Sequence, residues 1–327
     1  MKNIFIAGGA GYIGSACTEY MLNKGYQVTV FDSLVTGHEK AVDKRATFIR
    51  GDLADREKLI EIFRNGSFDA VMHFAAFSLV GESMKDPGKY FRNNLANAIN
   101  LADAAVEGKV QAFVFSSTAA TFGEPREIPI SETAEQLPIN PYGESKLCFE
   151  KVLKWYSRIY GLKYVALRYF NAAGATENFG EDHHPESHLI PILLQVAQGK
   201  REKAMIFGDD YDTPDGTGVR DYIHVVDLAR GHVCAIKYAA ENKGADVINL
   251  GTGKGYSVLE MVKTFSEVSG VNIPYEINAR RAGDIAECYA DPTKAKEKLG
   301  WVAEKNLRDM CRDSWRWQKN NPHGYDD

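Results

Sequence analysis

Through the first half of the chain, short apolar runs alternate with longer segments whose apolar positions recur every three to four residues. The runs 3–7, 27–31, 46–50, 68–75, 111–117 and 163–169 predict β-strands, and several are almost uninterrupted by polar residues, the pattern of strands covered on both faces. Between them, 12–24, 56–65, 90–107 and 142–160 carry helical periodicity. This alternation predicts an α/β fold, a parallel sheet doubly wound by helices. Past Asn171 the regularity weakens. Helices are predicted over 188–198, 225–242, 257–269 and 307–320, a Gly- and Asp-rich loop over 208–218, and one further strand over 246–250.

The length of 327 residues suffices for two domains with a sizeable core. With 44% hydrophobic and 25% charged residues, disorder, collagen-like repeats and coiled coil are excluded. A net charge of −5 without a long basic run argues against nucleic acid or an anionic membrane as partner. No apolar stretch approaches the ~18 residues of a membrane helix. Cys17, Cys148, Cys234, Cys288 and Cys311 lie far apart, with no CxxC and no Cys/His cluster at zinc spacing. No metal is expected, and the cysteine usage suits a reducing cytoplasm. The first strand runs straight into a glycine cluster and leaves no room for a signal peptide, so a cytoplasmic location is expected.

That cluster, Gly8-Gly9-Ala10-Gly11-Tyr12-Ile13-Gly14, stands between the first strand and the first helix. Glycines at 8, 11 and 14 permit a tight turn, backbone approach to a pyrophosphate, and close helix–strand packing, while the helix N-terminus offers free amides. Asp32 ends the second strand 18 residues after Gly14, placed to accept from ribose hydroxyls and to repel a 2′-phosphate. NAD is therefore expected over NADP. Asp52, after the third strand, is a candidate acceptor for the adenine amino group, and His73-Phe74-Ala75-Ala76 puts small residues where the sheet meets the cofactor.

Tyr142 and Lys146, at i and i+4, share one face of a predicted helix. A phenol is a poor base at neutral pH, and a nearby ammonium and a nicotinamide cation would both favour the phenolate. The strand 111–117 ends in Ser116-Ser117-Thr118, hydroxyls suited to a substrate oxygen.

With GGAGYIG at 8–14, HFAA at 73–76, GES at 81–83, SSTAATFG at 116–123, PYGESK at 141–146, RYFNAAG at 168–174, GTGVRDYIHVVDLA at 216–229 and RRAGD at 280–284, nearly the whole chain resembles the extended short-chain dehydrogenase/reductase family, and within it the UDP-hexose 4-epimerases. The resemblance implies an NAD-binding Rossmann domain over 1–175, rejoined by a strand near 246–251, and a smaller, mainly UDP-sugar-binding domain over 176–327. It implies inversion at sugar C4, between UDP-galactose and UDP-glucose, through a transient 4-keto sugar and tightly bound NAD. Tyr142 would be the proton acceptor, Lys146 its partner and holder of the nicotinamide ribose, and Thr118 the substrate-binding hydroxyl. The NAD set would add Gly8, Gly11, Tyr12, Ile13, Gly14, Asp32, Ser33, Asp52, Leu53, Phe74, Ala75, Ala76, Ser78, Asn93, Tyr169 and Phe170. The UDP-sugar set would add Asn171, His188, Leu189, Phe207, Arg220, Tyr222, Arg281, Asp284 and Cys288, with the two arginines as planar forks for a diphosphate.

Two positions depart from the pattern of family members: Ser78, where some have Lys, and His188, where another has Asn. A 4,6-dehydratase would follow the strand-end Thr with an Asp-Glu pair, whereas Ala119-Ala120 follows Thr118 here. A decarboxylase matches the RYFN and GTGVRDYIHVVD blocks less well, and a non-catalytic NAD sensor would not need the Tyr/Lys pair. A small residue at Cys288, where a Tyr would narrow the sugar pocket, implies that N-acetylated UDP-hexoses are also accepted. The family further implies a homodimer joined through the 90–107 and 142–160 helices.

Overall fold

The computed structural model describes residues 1–183, 185–241, 244–281 and 284–325. The predicted helix end at Asn242, the Ala282-Gly283 pair of the 280–284 block and the 326–327 end lie outside these residues. Strands β1 (Asn3–Ala7), β2 (Gln27–Asp32), β3 (Thr47–Arg50), β4 (Ala70–His73), β5 (Ala112–Thr118), β6 (Tyr164–Tyr169) and β7 (Ala245–Leu250) form one parallel sheet in the order β3-β2-β1-β4-β5-β6-β7. The doubly wound α/β expectation is met. The order reverses between β1 and β4, and at such a switch point the strand ends open a crevice.

Alternation along the strands builds the two apolar layers. Ile4 and Ile6 face α1 (Tyr12–Asn23) and α5 (Val225–Glu241) with Val30, Val114 and Leu167. Phe5, Phe31, Phe113 and Phe115 face α2 (Arg56–Asn65), α3 (Ala98–Glu107) and α4 (Pro141–Tyr160) with Leu59, Leu101 and Phe149. Each fully buried side chain of this size contributes about 1.5–3 kcal/mol, which explains why runs covered on both faces are almost wholly apolar. The later residues build a separate core around Leu193, Ile206, Met261, Phe265 and Met310.

Two predicted elements are corrected. The helix expected over 90–107 is not continuous: Pro87–Tyr90 passes into a π-helical turn at Phe91–Asn97 before α3 begins. Asn94 within that turn accepts from the Phe77 amide (2.9 Å) and donates to the Phe77 carbonyl (2.9 Å), side-chain bonds that compete with regular helix. The strand expected over 68–75 is only Ala70–His73, because the Phe74 and Ala75 amides both donate to Ala7 O and bend the chain over the end of β1.

Several short strands carry no readable periodicity. Tyr222–His224 pairs in parallel with Asn171–Ala173, and Ala204–Phe207 with Tyr275–Asn278. Val219–Arg220 lies between antiparallel Tyr256–Ser257 and parallel Glu287–Cys288. Among the described residues no helix is long and apolar enough to cross a membrane.

Candidate active site

The glycine turn joins β1 to α1 under strict steric limits. Gly8 has φ +81°, and a Cβ on it would lie 2.3 Å from the Ala75 amide; one on Gly14 would lie 2.1 Å from Gly8 O. At Gly11 the nearest atom, Gly8 O, is 3.6 Å from the Cβ position, so no neighbour in the protein demands glycine there. The open space faces the start of α1, which has no side-chain cap and no acidic residue in its first turn. Its orphan amides are therefore left for an anion. Asp32 is buried at the end of β2, accepting from the amides of Ala10 (3.0 Å) and Leu34 (2.9 Å). Burial pushes its carboxyl up, and the Leu34, Ala10 and Ser33 amides pull it back. An open diphosphate cradle beside a pinned carboxylate fits a dinucleotide.

Around this turn lie the other residues expected at the cofactor. Tyr12 is buried, its hydroxyl donating to Gly174 O (2.6 Å), and Ile13 packs on the apolar cluster beside it. Ser33 follows Asp32, partly exposed. Asp52 is exposed and accepts from the Ala54 amide (2.8 Å), while neighbouring Leu53 is buried with its carbonyl accepting from Asn100 (2.8 Å). Phe74, Ala75 and Ala76 follow β4 half-buried, and Ser78 is exposed. Asn93 lies in the π turn and donates to Asn94 Oδ1 (3.0 Å). His73 is enclosed by Phe113, Phe115 and Phe149; burial holds its pKa down to about 3, Lys146 adding to the effect, so it is a neutral core residue.

At the end of β5, Thr118 is buried, its Oγ1 accepting from the Ala120 amide (3.1 Å). Asn140 caps α4 by accepting from the Gly143 amide (2.8 Å), which sets Tyr142 in the first turn facing Thr118. The neighbouring Thr118 hydroxyl acts to lower the Tyr142 phenol pKa, but burial outweighs it and the net shift is upward. Lys146 is tied to the end of the same strand. Its Nζ donates to Ser116 O (2.8 Å) and sits 4.9 Å over the Phe115 ring. Burial pushes the ammonium down to about 7, partly opposed by Glu150. In the protein by itself the Lys146 ammonium is held against the strand end by Ser116 O. Tyr169 at the end of β6 bonds Ser116 through its hydroxyl, and Phe170 packs against the cluster of Ala119, Phe122 and Ile130.

The short strands of the later residues gather the second set. Cys288 stands directly beside Arg220 in strand register. Arg220 donates to Val219 O (2.8 Å) and Ala286 O (3.3 Å); Arg281 stacks 4.7 Å over Phe207 and pairs with Asp284 (2.9 Å). Burial pushes the Tyr222 phenol up to about 12, and the charges of Arg220 and Arg281 act to lower it. Arg280, by contrast, turns away to Asp210 (2.6 Å). The Asn171 amide donates to Asp221 O (3.0 Å), and His188 precedes the helix Leu189–Ala197.

Some residues that shape the site escape sequence reasoning. Glu150 and Arg168 form a buried ion pair (2.6 Å), with Ser117 donating to Glu150 (2.5 Å), one helical turn beyond Lys146. Asp221, fully buried, accepts from Thr252, Gly253 and Ala290 and so fixes the strands that carry Arg220 and Tyr222. The only sequence signal was position: Glu150 four residues after Lys146, and Asp221 between two candidate residues.

Comparison with known proteins agrees with this geometry. The chain is 53% identical to the UDP-glucose 4-epimerase of Streptococcus mutans, with 99% of each chain covered. The solved UDP-glucose 4-epimerase of Brucella ovis, in complex with NAD, is 45% identical with a TM-score of 0.93, covering 96% of this chain and 98% of that one. That of Bifidobacterium longum, in complex with NAD+ and UDP, is 42% identical with a TM-score of 0.93, covering 99% and 100%. The family pattern matches residues 4–251, from the first strand through the last strand of the parallel sheet, and the chain belongs to the NAD dependent epimerase/dehydratase family.

Proposed function

We propose that this chain interconverts UDP-galactose and UDP-glucose by inversion at C4, using NAD held in the crevice over the parallel sheet. The observation that carries the reading is Tyr142 beside Thr118 at the end of β5, with Lys146 tied to Ser116 O, at the same carboxyl ends of the sheet that bear the glycine turn and Asp32. When bound, NAD supplies a reversible hydride acceptor for C4. Tyr142 takes the proton of the 4-hydroxyl and returns it, with Thr118 orienting the same oxygen. The protein alone keeps the phenol protonated, so ionisation depends on the loaded site. Lys146 keeps N–H groups beyond the one given to Ser116, available to ribose hydroxyls. Arg220 and Arg281, already steadied by carbonyls and Asp284, grip the diphosphate while the sugar turns, which keeps binding energy away from the reacting carbon.

In this reading residues 1–175 with β7 carry NAD and 176–327 mainly carry the UDP-sugar. The dehydratase alternative lacks support, because the methyl side chains of Ala119 and Ala120 cannot exchange protons. The reading also includes a cytoplasmic location and a homodimer. Trp155, Ile159 and Tyr160 are exposed on α4, an apolar face suited to a second copy. Sedimentation at the mass of one chain would contradict the dimer.

Purified protein given UDP-galactose and no added NAD is expected to form UDP-glucose; a 4-keto-6-deoxy product would support the dehydratase instead. Acid extraction of the same protein is expected to release NAD(H). NADP as the dominant species would reverse the reading of Asp32, whose carboxylate would face a like-charged 2′-phosphate.

A further inference from the structure

One cluster of ligating side chains, which shares only His188 with the expected UDP-sugar residues, has no part in the proposed reaction as a set. Glu181, His183, Glu186 and His188 each offer one ligand atom, and these atoms all lie within 4.8 Å of one another. His188 Nδ1 lies 2.7 Å from Glu181 Oε1 and 3.4 Å from Glu186 Oε1, and His183 Nδ1 lies 3.3 Å from Glu181 Oε1. Both imidazole nitrogens are buried and neither makes a hydrogen bond. They approach carboxylate oxygens closely without the alignment a shared proton requires. In a tetrahedral zinc site with bonds of about 2.0–2.2 Å, neighbouring ligand atoms are spaced roughly 3.3–3.6 Å apart; the 3.3 and 3.4 Å pairs match this, and the 2.7 Å pair and those out to 4.8 Å reach it by small side-chain rotations.

The surroundings favour the same occupant. Glu186 Oε1 accepts from the amides of Ser187 and His188 (2.7 Å each), outer bonds that fix the carboxylate's orientation as metal ligands require. Among the described residues no Lys or Arg pairs with Glu181 or Glu186. The two negative charges are thus left to the imidazoles or to a cation, and a divalent ion with two neutral imidazoles balances them. The spacing of 181, 183, 186 and 188 contains no cysteine, so a search for Cys/His patterns passes over it.

We infer that Glu181, His183, Glu186 and His188 form a binding site for one divalent transition-metal cation, with Zn2+ the best match to two imidazoles and two carboxylates. The position gives the cation a structural consequence. The His183 ring meets Tyr12 of the glycine turn edge-on at 6.5 Å, Asp182 contacts His38, and His188 leads into the helix Leu189–Ala197. A bound ion ties this segment down between the start of α1 and that helix.

The test uses the untagged, NAD-loaded full chain, stripped with chelator and titrated with Co2+, then Zn2+. Saturation at one Co2+ per chain is expected, with the intense visible bands of four-coordinate cobalt, followed by stoichiometric displacement by Zn2+. Glu181→Gln, which preserves shape, and His183→Ala are each expected to weaken Zn2+ binding at least about tenfold. Zn2+ should raise the thermal midpoint of the parent and not of the variants. If His183→Ala does not fold, Glu181→Gln decides alone. Absence of saturable binding in the parent, or equal Zn2+ affinity in parent and Glu181→Gln, overturns the site.

Discussion

Tyr142→Phe is expected to turn over UDP-galactose at least about 10²-fold more slowly than the parent, the lower range for loss of a general acid–base group. The substitution removes one oxygen and little else. The ring remains, packed edge-on at 6.4 Å from Tyr90, and Thr118 Oγ1 still accepts from the Ala120 amide. Arg220, Arg281 and Phe207, which hold the nucleotide in this account, do not contact the phenol oxygen. The loss should therefore appear in kcat and leave UDP-sugar affinity nearly unchanged, as expected for an interaction made in the transition state. Steady-state kinetics alongside calorimetric UDP binding will check it, and turnover within a few-fold of the parent would remove Tyr142 as the base.

Cys288→Tyr is expected to suppress the interconversion of UDP-N-acetylglucosamine and UDP-N-acetylgalactosamine by on the order of 10–100-fold, sparing the galactose reaction. Cys288 pairs in register with Arg220 and packs against the cluster of Ala119, Phe122 and Ile130, which begins immediately after Thr118. It therefore links the diphosphate grip to the reacting end of the sugar. Burial pushes its thiol up to about 11, Arg220 acting against the shift, so the side chain is a small neutral wall. An acetamido group must clear that wall as the keto sugar turns, and a phenol ring would obstruct it. Competition assays on the plain and N-acetylated sugars will show the split. A native protein active on UDP-galactose and inert to UDP-N-acetylgalactosamine would end the specificity claim and leave the epimerase reading intact.

The parts legible in the sequence are those whose physics is local. The Gly8–Gly14 turn, Asp32 at a strand end, and Tyr142 with Lys146 on one helix face are patterns of a few residues, and the turn and Asp32 stand at the carboxyl ends of neighbouring strands of one sheet. The alternation of the sheet is legible because strands covered on both faces must be apolar throughout. Pairings of distant short segments are not. Strands of two to four residues carry no period, so the register that puts Cys288 beside Arg220 could not be read. Nor could the direction of Lys146, decided by a carbonyl at the end of β5. The π turn at Phe91–Asn97 depends on what Asn94 finds across space, the Phe77 backbone. The Glu150–Arg168 pair likewise joins a helix to a strand 18 residues on.

The central claim is that the hydrogen on C4 leaves and returns within one closed site, while Tyr142 handles only the hydroxyl proton. It is tested most directly with UDP-galactose deuterated at C4, in ordinary water, followed by NMR of the UDP-glucose formed. The account predicts that the product keeps its deuterium at C4. Product carrying solvent hydrogen at C4 would mean proton abstraction from carbon, and would contradict it.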